Sequence, residues 1–393
     1  MLIQKRLIQN ANMKRWFQII TGVAILSLGF GISQIARFQE ATAQAQEAHL
    51  PQLTAELEVL KAEYKAQQAK WQSHLLEQIV PTLTDESEAV RRQFVDFLEE
   101  IGNPGTAALV GMLKDPSKSV RRKAADTLGE IGEDERKAGR NYDAAAIGLA
   151  TALTDDSDAV FREAISELGD VRPTSAESLA VVVPALIAVQ TKGSSSARDD
   201  ILDVLGQIGE DLAEKGQSTD TIRDALIVGL NDDSTKVRTN AIAELSDIQE
   251  TSTQTFAALT RALSDDSKSV RARAEDVLIK LGRNRAARIT PILVDALTNN
   301  PSATTRGHVV DVLGEIGEAL VKRGESDEMV VKPLLVALTD TAADVRRNAA
   351  DELGEMRAKS PDAVTALTQA LADSSKNVRS AAQKAIRRIE AAK

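Results

Sequence analysis

The segment LKDPSKSVRRKAADTLGEI, Leu113 to Ile131, decides the fold of this 393-residue chain because it keeps returning. Its recurring positions read Leu-x-Asp-x-Ser-x-x-Val-Arg-x-x-Ala-x-x-x-Leu-Gly-x-Ile. Further copies start at Leu83, Leu153, Leu230, Leu263, Leu338 and Leu371, and two weaker ones surround Arg198 (SSARDDILDVLGQI) and Arg306 (TTRGHVVDVLGEI). The nine copies share a slot at positions 91, 121, 161, 198, 238, 271, 306, 346 and 379, filled by arginine except at Phe161. Successive slots lie 30 to 40 residues apart, the period of a solenoid of helix pairs or an array of similar units.

Each unit has readable local chemistry. The apolar run before the aspartate, such as AALTRAL from Ala257 to Leu263, predicts a first helix. Asp265 and Ser267 then sit at a turn, where short oxygen-bearing side chains cap the free amides of a second helix. Val270, Ala274, Leu278 and Leu281 follow at helical steps and form one apolar face. The tail glycines (Gly129, Gly169, Gly206, Gly314, Gly354) allow close approach or end the helix. One helix pair cannot bury both of its faces, so the pairs must stack.

Three of the spacings are 40 residues, and each carries an insertion: GEDERKAGRNYD (Gly132 to Asp143), GEDLAEKGQSTD (Gly209 to Asp220) and GEALVKRGESDE (Gly317 to Glu328). They occupy the same slot in the unit, so they are expected to emerge as loops on one edge. The second and third lie 108 residues apart, as do the slots at 238 and 346 and at 271 and 379. A block of three units has been duplicated.

The unit resembles the HEAT repeat, in the variety named for phycobilisome lyases, over roughly residues 75–393. The resemblance implies an all-α chain folded as a right-handed α-solenoid, an armadillo- or HEAT-type superhelix of nine helix pairs. It also implies an Asp–Arg ladder along the stack. Asp85, Asp115, Asp155, Asp232, Asp265, Asp340 and Asp373 match the acidic slot, and Arg91, Arg121, Arg238, Arg271, Arg346 and Arg379 match the basic one. Phe161 departs from the pattern, and the units around Arg198 and Arg306 lack the aspartate, so interruptions are expected there.

Composition agrees with thin helical layers. The chain is 43% hydrophobic but only 3% aromatic, so Ala, Leu, Val and Ile carry the core. With no cysteine there are no disulfides, thiolate metal sites or thiol nucleophiles. The three histidines (His49, His74, His308) are too few for a His-rich metal centre. A net charge of −10 argues against nucleic acid as a general partner.

The N-terminus is a separate object. Residues 16–36, WFQIITGVAILSLGFGISQIA, run 21 residues without a charge, long enough to span a bilayer as a helix. Lys5, Arg6, Lys14 and Arg15 precede them, which holds the N-terminus in the cytoplasm and sends the remainder across. Small residues at Ala41, Ala43 and Ala45 also permit cleavage as a signal peptide near Ala43 or Ala45. Met13 is an alternative start to Met1. Residues 1–43 carry a net +4, which leaves −14 on the rest and favours partners with basic surfaces. Residues 44–80 read as an amphipathic helical neck capping the first repeat, with Leu53, Leu57, Leu60, Tyr64, Trp71, Leu75 and Ile79 on one stripe. Its apolar seam is too short for a sustained coiled coil. The solenoid takes residues 81–393.

Residues present in every unit serve stacking, so function is expected where units differ: at the three insertions, at Phe161 and in the segment Gly193 to Ser196. No catalytic, cofactor-binding or metal-ligating residue is assigned. The pairs Asp155-Asp156, Asp232-Asp233 and Asp265-Asp266 lack the spacing of a Ca²⁺ loop and read as helix caps. No His-Glu pair exists for the iron site of HEAT-type hydroxylases. The expected function is a non-catalytic protein-binding scaffold or assembly factor, membrane-anchored or exported, using the solenoid and its insertions. The alternatives are a cytoplasmic bilin-lyase-type or phycobilisome-associated protein and a purely structural envelope component.

Overall fold

The computed structural model describes residues 87–358 and 360–391. The membrane or signal segment, the neck and the first copy's Leu83 and Asp85 lie outside the described residues. Among the described residues there are 17 α-helices and no strand. None of these helices is long and apolar enough to cross a membrane.

The chain divides after Met112. The described part of the first unit holds α1 (Glu88–Ile101), a short 3-10 turn (Asn103–Gly105) and α2 (Thr106–Met112). Phe94, Val95 and Leu98 bury the inner face of α1. Ser87 caps that helix by accepting from the Val90 amide at 3.4 Å.

The second unit alternates second and first helices. The second helices are α3 (Lys118–Lys137), α5 (Asp158–Val171), α7 (Ser195–Glu214), α9 (Thr235–Asp247), α11 (Lys268–Gly282), α13 (Ala303–Lys322), α15 (Ala343–Glu355) and α17 (Lys376–Glu390). The first helices are α4 (Asp143–Ala152), α6 (Ala176–Val189), α8 (Asp220–Gly229), α10 (Thr253–Ala262), α12 (Ala286–Asn299), α14 (Glu328–Ala337) and α16 (Pro361–Ala370). Second helices pack on second helices of neighbouring units, first on first, and each first helix packs on the second helix that follows it. The buried stripe is the one the sequence predicts: Val270, Ala274 and Leu278 are fully buried and Leu281 nearly so.

The Asp–Arg ladder is present. Five arginines reach the aspartate of the next unit through Nε and Nη2, as in Arg238 to Asp265 (both 2.8 Å) and Arg306 to Asp340 (2.7 and 2.8 Å). Arg121–Asp155, Arg198–Asp232 and Arg346–Asp373 repeat the geometry. The third nitrogen ties down the turn of its own unit, as Arg238 Nη1 does on the Asp232 and Asp233 carbonyls (2.9 and 3.2 Å). Each aspartate also accepts from the amide two residues on, 2.8 Å for Asp265 and Ser267. One carboxylate thus shapes a turn and clamps a neighbour, a bidentate charge-assisted contact. The acidic pairs are therefore more than caps: Asp156 and Asp266 take a second bond from the same guanidiniums, at 2.7 and 2.9 Å. Ser267 Oγ makes no capping bond and meets Ser269 Oγ instead.

Two rungs fail in this unit, both where the sequence breaks. Between the third and fourth copies, Phe161 stands for arginine and Lys192 for aspartate; a Cβ added to Gly193 would lie 3.2 Å from the Phe161 ring. Between the sixth and seventh, Arg271 faces a slot filled by Asn300, and its Nε is buried without a partner among the described residues. The helix pairs at these seams, α5–α7 and α11–α13, make the fewest contacts of all neighbouring second helices here. The ladder therefore runs unbroken through copies four to six and again through copies seven to nine, matching the 108-residue duplication. Asn300→Asp is expected to complete the second failed rung and to stabilise the chain by about 1 kcal/mol, read as a rise in urea midpoint at constant m-value.

The insertions differ from expectation. Their first halves are extra turns, so that α3, α7 and α13 each run 20 residues against 13 to 15 for the other second helices of the unit, and only residues 138–142, 215–219 and 323–327 form the expected loops. The apolar stripe simply continues, from Ile208 to Leu212 and from Ile316 to Leu320. Gly132 and Gly209 do not end these helices but admit the next unit, where a Cβ would meet Val171 Cγ2 at 2.7 Å and Ile248 Cγ2 at 2.8 Å. The stop comes later, at Gly139, Gly216 and Gly324, all with φ between 66° and 71°. There the amide after the glycine bonds back five residues, as Gln217 does to the Leu212 carbonyl at 2.8 Å, closing a Schellman turn.

Candidate functional site

The long helices carry the most unusual chemistry of the molecule. Gly129, Gly206 and Gly314 sit mid-helix on α3, α7 and α13, and a glutamate of the next second helix lies across each: Glu167, Glu244 and Glu352. No Cβ could share that space. The glycine lets the glutamate side chain lie flat against the preceding helix backbone, which strips water from its carboxyl group.

Burial and crowding act in the same direction on all three. Glu167 is pushed up to about 8, first by burial and then by Asp126, Asp170, Glu163 and Glu130. Glu244 rises to about 8 through burial and Asp203, Asp247, Glu210 and Asp199. Glu352 rises to about 9 through burial and Asp311, Glu355, Glu315 and Glu318. These glutamates are mostly protonated at neutral pH. They occur in the units that follow an insertion, so the long helix, its glycine and the glutamate form one device used three times.

Partial neutralisation comes from neighbours. Arg122 Nε bonds Glu163 at 2.8 Å, Lys236 Nζ bonds Asp199 at 2.6 Å, and the Asn240 and Asn348 amides donate to Asp203 and Asp311 at 2.6 and 2.8 Å. His308 Nδ1 meets Glu275 at 2.5 Å. Asp311 is pushed up to about 6 by burial and then by Glu275, against the pull of His308, Asn348 and Arg347. Asp126–Glu163–Glu167, Asp199–Asp200–Asp203 and Glu275–His308–Asp311 each bring three donor atoms within 4.8 Å of one another. The arrangement is a strongly acidic second-helix face, able to attract cationic groups.

The expected variable positions sort clearly. The insertions build the long helices of this face. Phe161 is buried and fills the failed rung with an apolar contact. Ser194, in the Gly193–Ser196 segment, caps α7 by accepting from the Ala197 amide at 3.2 Å. Next to this seam, α5 and α7 border a cavity of 620 Å³. Sequence reasoning missed Glu167, Glu244 and Glu352. Their signal was a glutamate before the conserved leucine, found among these units only after an insertion.

The glutamates set a pH dependence. Between 4.5 and about 9 the folded chain keeps a proton on Glu352 that the unfolded chain has released, so stability falls as pH rises through that window. Glu352→Gln fixes the neutral form. Its Tm is expected to match the parent near pH 4.5 and to exceed it at pH 9; parallel slopes of Tm against pH would refute the assignment.

The family model described as HEAT repeats matches residues 76–169 and 290–387. Among solved structures, an engineered protein aligns at 19% identity and a TM-score of 0.30, covering 80% of this chain and 98% of its own. Importin beta aligns at 16% identity and a TM-score of 0.48; 98% of this chain is covered, but it spans only 55% of the importin beta chain. No curated protein matches.

Proposed function

We propose that this protein is a non-catalytic protein-binding scaffold or assembly factor whose acidic second-helix face receives a partner with a basic surface. The observation that carries the reading is the threefold recurrence of the glycine–glutamate device on the three long helices. Stacking alone is served by the other second helices at 13 to 15 residues, so the extra turns enlarge a surface. The uncharged run at residues 16–36 supports anchoring or export, with the solenoid on the non-cytoplasmic side. The phycobilisome-lyase variety of the repeat remains a resemblance of the motif.

Fractionation of the source cells with crosslinking tests both parts. The chain is expected to resist carbonate and high-salt washing at full mass, or to be recovered outside the cytoplasm shortened near Ala43 or Ala45. Crosslinks to one client at near-equal stoichiometry should map to α3, α5, α7, α9, α13 and α15. A soluble full-length cytoplasmic protein carrying pigment-bound phycobiliprotein would replace this reading by the bilin-lyase-type one.

A further inference from the structure

We propose that the cavity between α5 and α7 is a socket for an arginine side chain of the basic partner, an inference that rests on the scaffold reading above. The socket lies at the first failed seam, where Phe161 and Lys192 replace an arginine–aspartate rung and the two helices pack loosely. Gly169 occupies the position of Gly129, Gly206 and Gly314, but the residue that covers it is Val204, not a glutamate. A Cβ at Gly169 would meet Val204 Cγ2 at 3.4 Å and Gln207 Oε1 at 3.6 Å, ordinary contacts, where the other three glycines are blocked. The missing side chain leaves the space open.

Its chemistry points to one kind of occupant. Ile165, Gly169 and Val204 make an apolar floor suited to a methylene stem. Gln207 Oε1 is buried beside that floor and has no donor among the described residues. Such an acceptor is unfavourable as it stands, and a turn of the half-buried Gln207 side chain offers it to a donor in the space it lines. The two arginines of the wall are engaged: Arg122 with Glu163 at 2.8 Å, and Arg162 with Asp200 at 3.9 Å. Asp158, Asp170 and Asp203 remain in excess, so the lining is net negative. A guanidinium carries five donors in a plane and can serve Gln207 and a carboxylate at once, whereas an ammonium is a point charge with a tighter water shell. A bare divalent cation fits poorly, since two arginines and an apolar floor border the space.

The test uses the full-length protein and two labelled probes, a hepta-arginine and a hepta-lysine peptide, read by fluorescence anisotropy near 0.15 M salt. The arginine peptide is expected to bind about tenfold more tightly, a difference of about 1.4 kcal/mol. Gly169→Leu fills the socket without changing charge, and Gln207→Leu removes the acceptor. Each should bring the arginine peptide to the lysine level, while Glu177→Gln and Asp362→Asn, exposed acids of the first helices α6 and α16, should change its Kd less than about twofold. Gly169→Ala serves as a folding control. Equal affinity for both peptides, an unchanged Kd in Gly169→Leu, or an equal loss in Glu177→Gln would each overturn the socket and leave only diffuse attraction. A client captured in cells with undiminished yield by Gly169→Leu would overturn the socket but leave the scaffold reading standing.

Discussion

Asp340→Ala is expected to destabilise the second unit by about 3–5 kcal/mol, the range for leaving a buried charge without its partner. Arg306 is 8% exposed, and Asp340 takes both its Nε and Nη2. Thr341 follows Asp340, so no second acid stands by. The carboxylate also holds the Ala342 amide at 2.7 Å, and the turn loosens with it. Asp265→Ala makes the informative comparison. Its arginine, Arg238, is equally buried but keeps Asp266 at 2.9 Å, so the loss should be distinctly smaller. Urea unfolding of both variants decides the matter: equal losses would mean that the second acid of each pair contributes nothing. Acid should act in the same way as Asp340→Ala. The Arg306 bond holds Asp340 below its ordinary value of 3.8, as the Arg346 bond does Asp373. The ladder's contribution is therefore present above that value and lost as pH falls through the lowered one. The buried glutamates drive the opposite trend above pH 4.5, so stability should peak on the mildly acidic side of neutral.

The second large effect is steric. Gly354→Ala places a Cβ 2.6 Å from the Ala385 Cα and 2.7 Å from its Cβ. Backbone cannot step aside as a side chain can, so α15 and α17 must separate. The expected loss is about 2–3 kcal/mol, the upper part of the over-packing range, and it outweighs the gain of about 1 kcal/mol from replacing a helical glycine by alanine. The same substitution elsewhere ranks the contacts. At Gly314 the obstacle is the Glu352 side chain, which can swing out, so the loss should be smaller. At Gly169 the Cβ meets only ordinary contacts, and the helix preference should win, with a stabilisation of about 0.5–1 kcal/mol. A flat response across Gly354, Gly314 and Gly169 would mean that the close approaches do not hold in solution.

The repeat motif made most of the architecture legible. Helix pairs, their order, the buried stripe and both failed rungs followed from residue types at fixed spacing, because every unit solves the same stacking problem. Three readings needed the neighbours in space. Gly132, Gly209 and Gly317 look like helix ends beside a glutamate, yet α3, α7 and α13 continue through them, since the cost of a glycine in a helix is small against the close packing of Val171, Ile248 and Met356. The acidic pairs look like caps, and only the next unit shows them clamping a guanidinium.

By itself, then, the sequence determined a stack of helix pairs, a three-unit block and an acidic overall balance, all of which are local or periodic properties. Only the tertiary structure decided where that acidity becomes chemistry. Glu167, Glu244 and Glu352 are unremarkable in the chain, because a carboxyl group's burial depends on what another helix lays against it. The same holds for the space at Gly169, which is open because Val204, in a different helix, is too short to fill it.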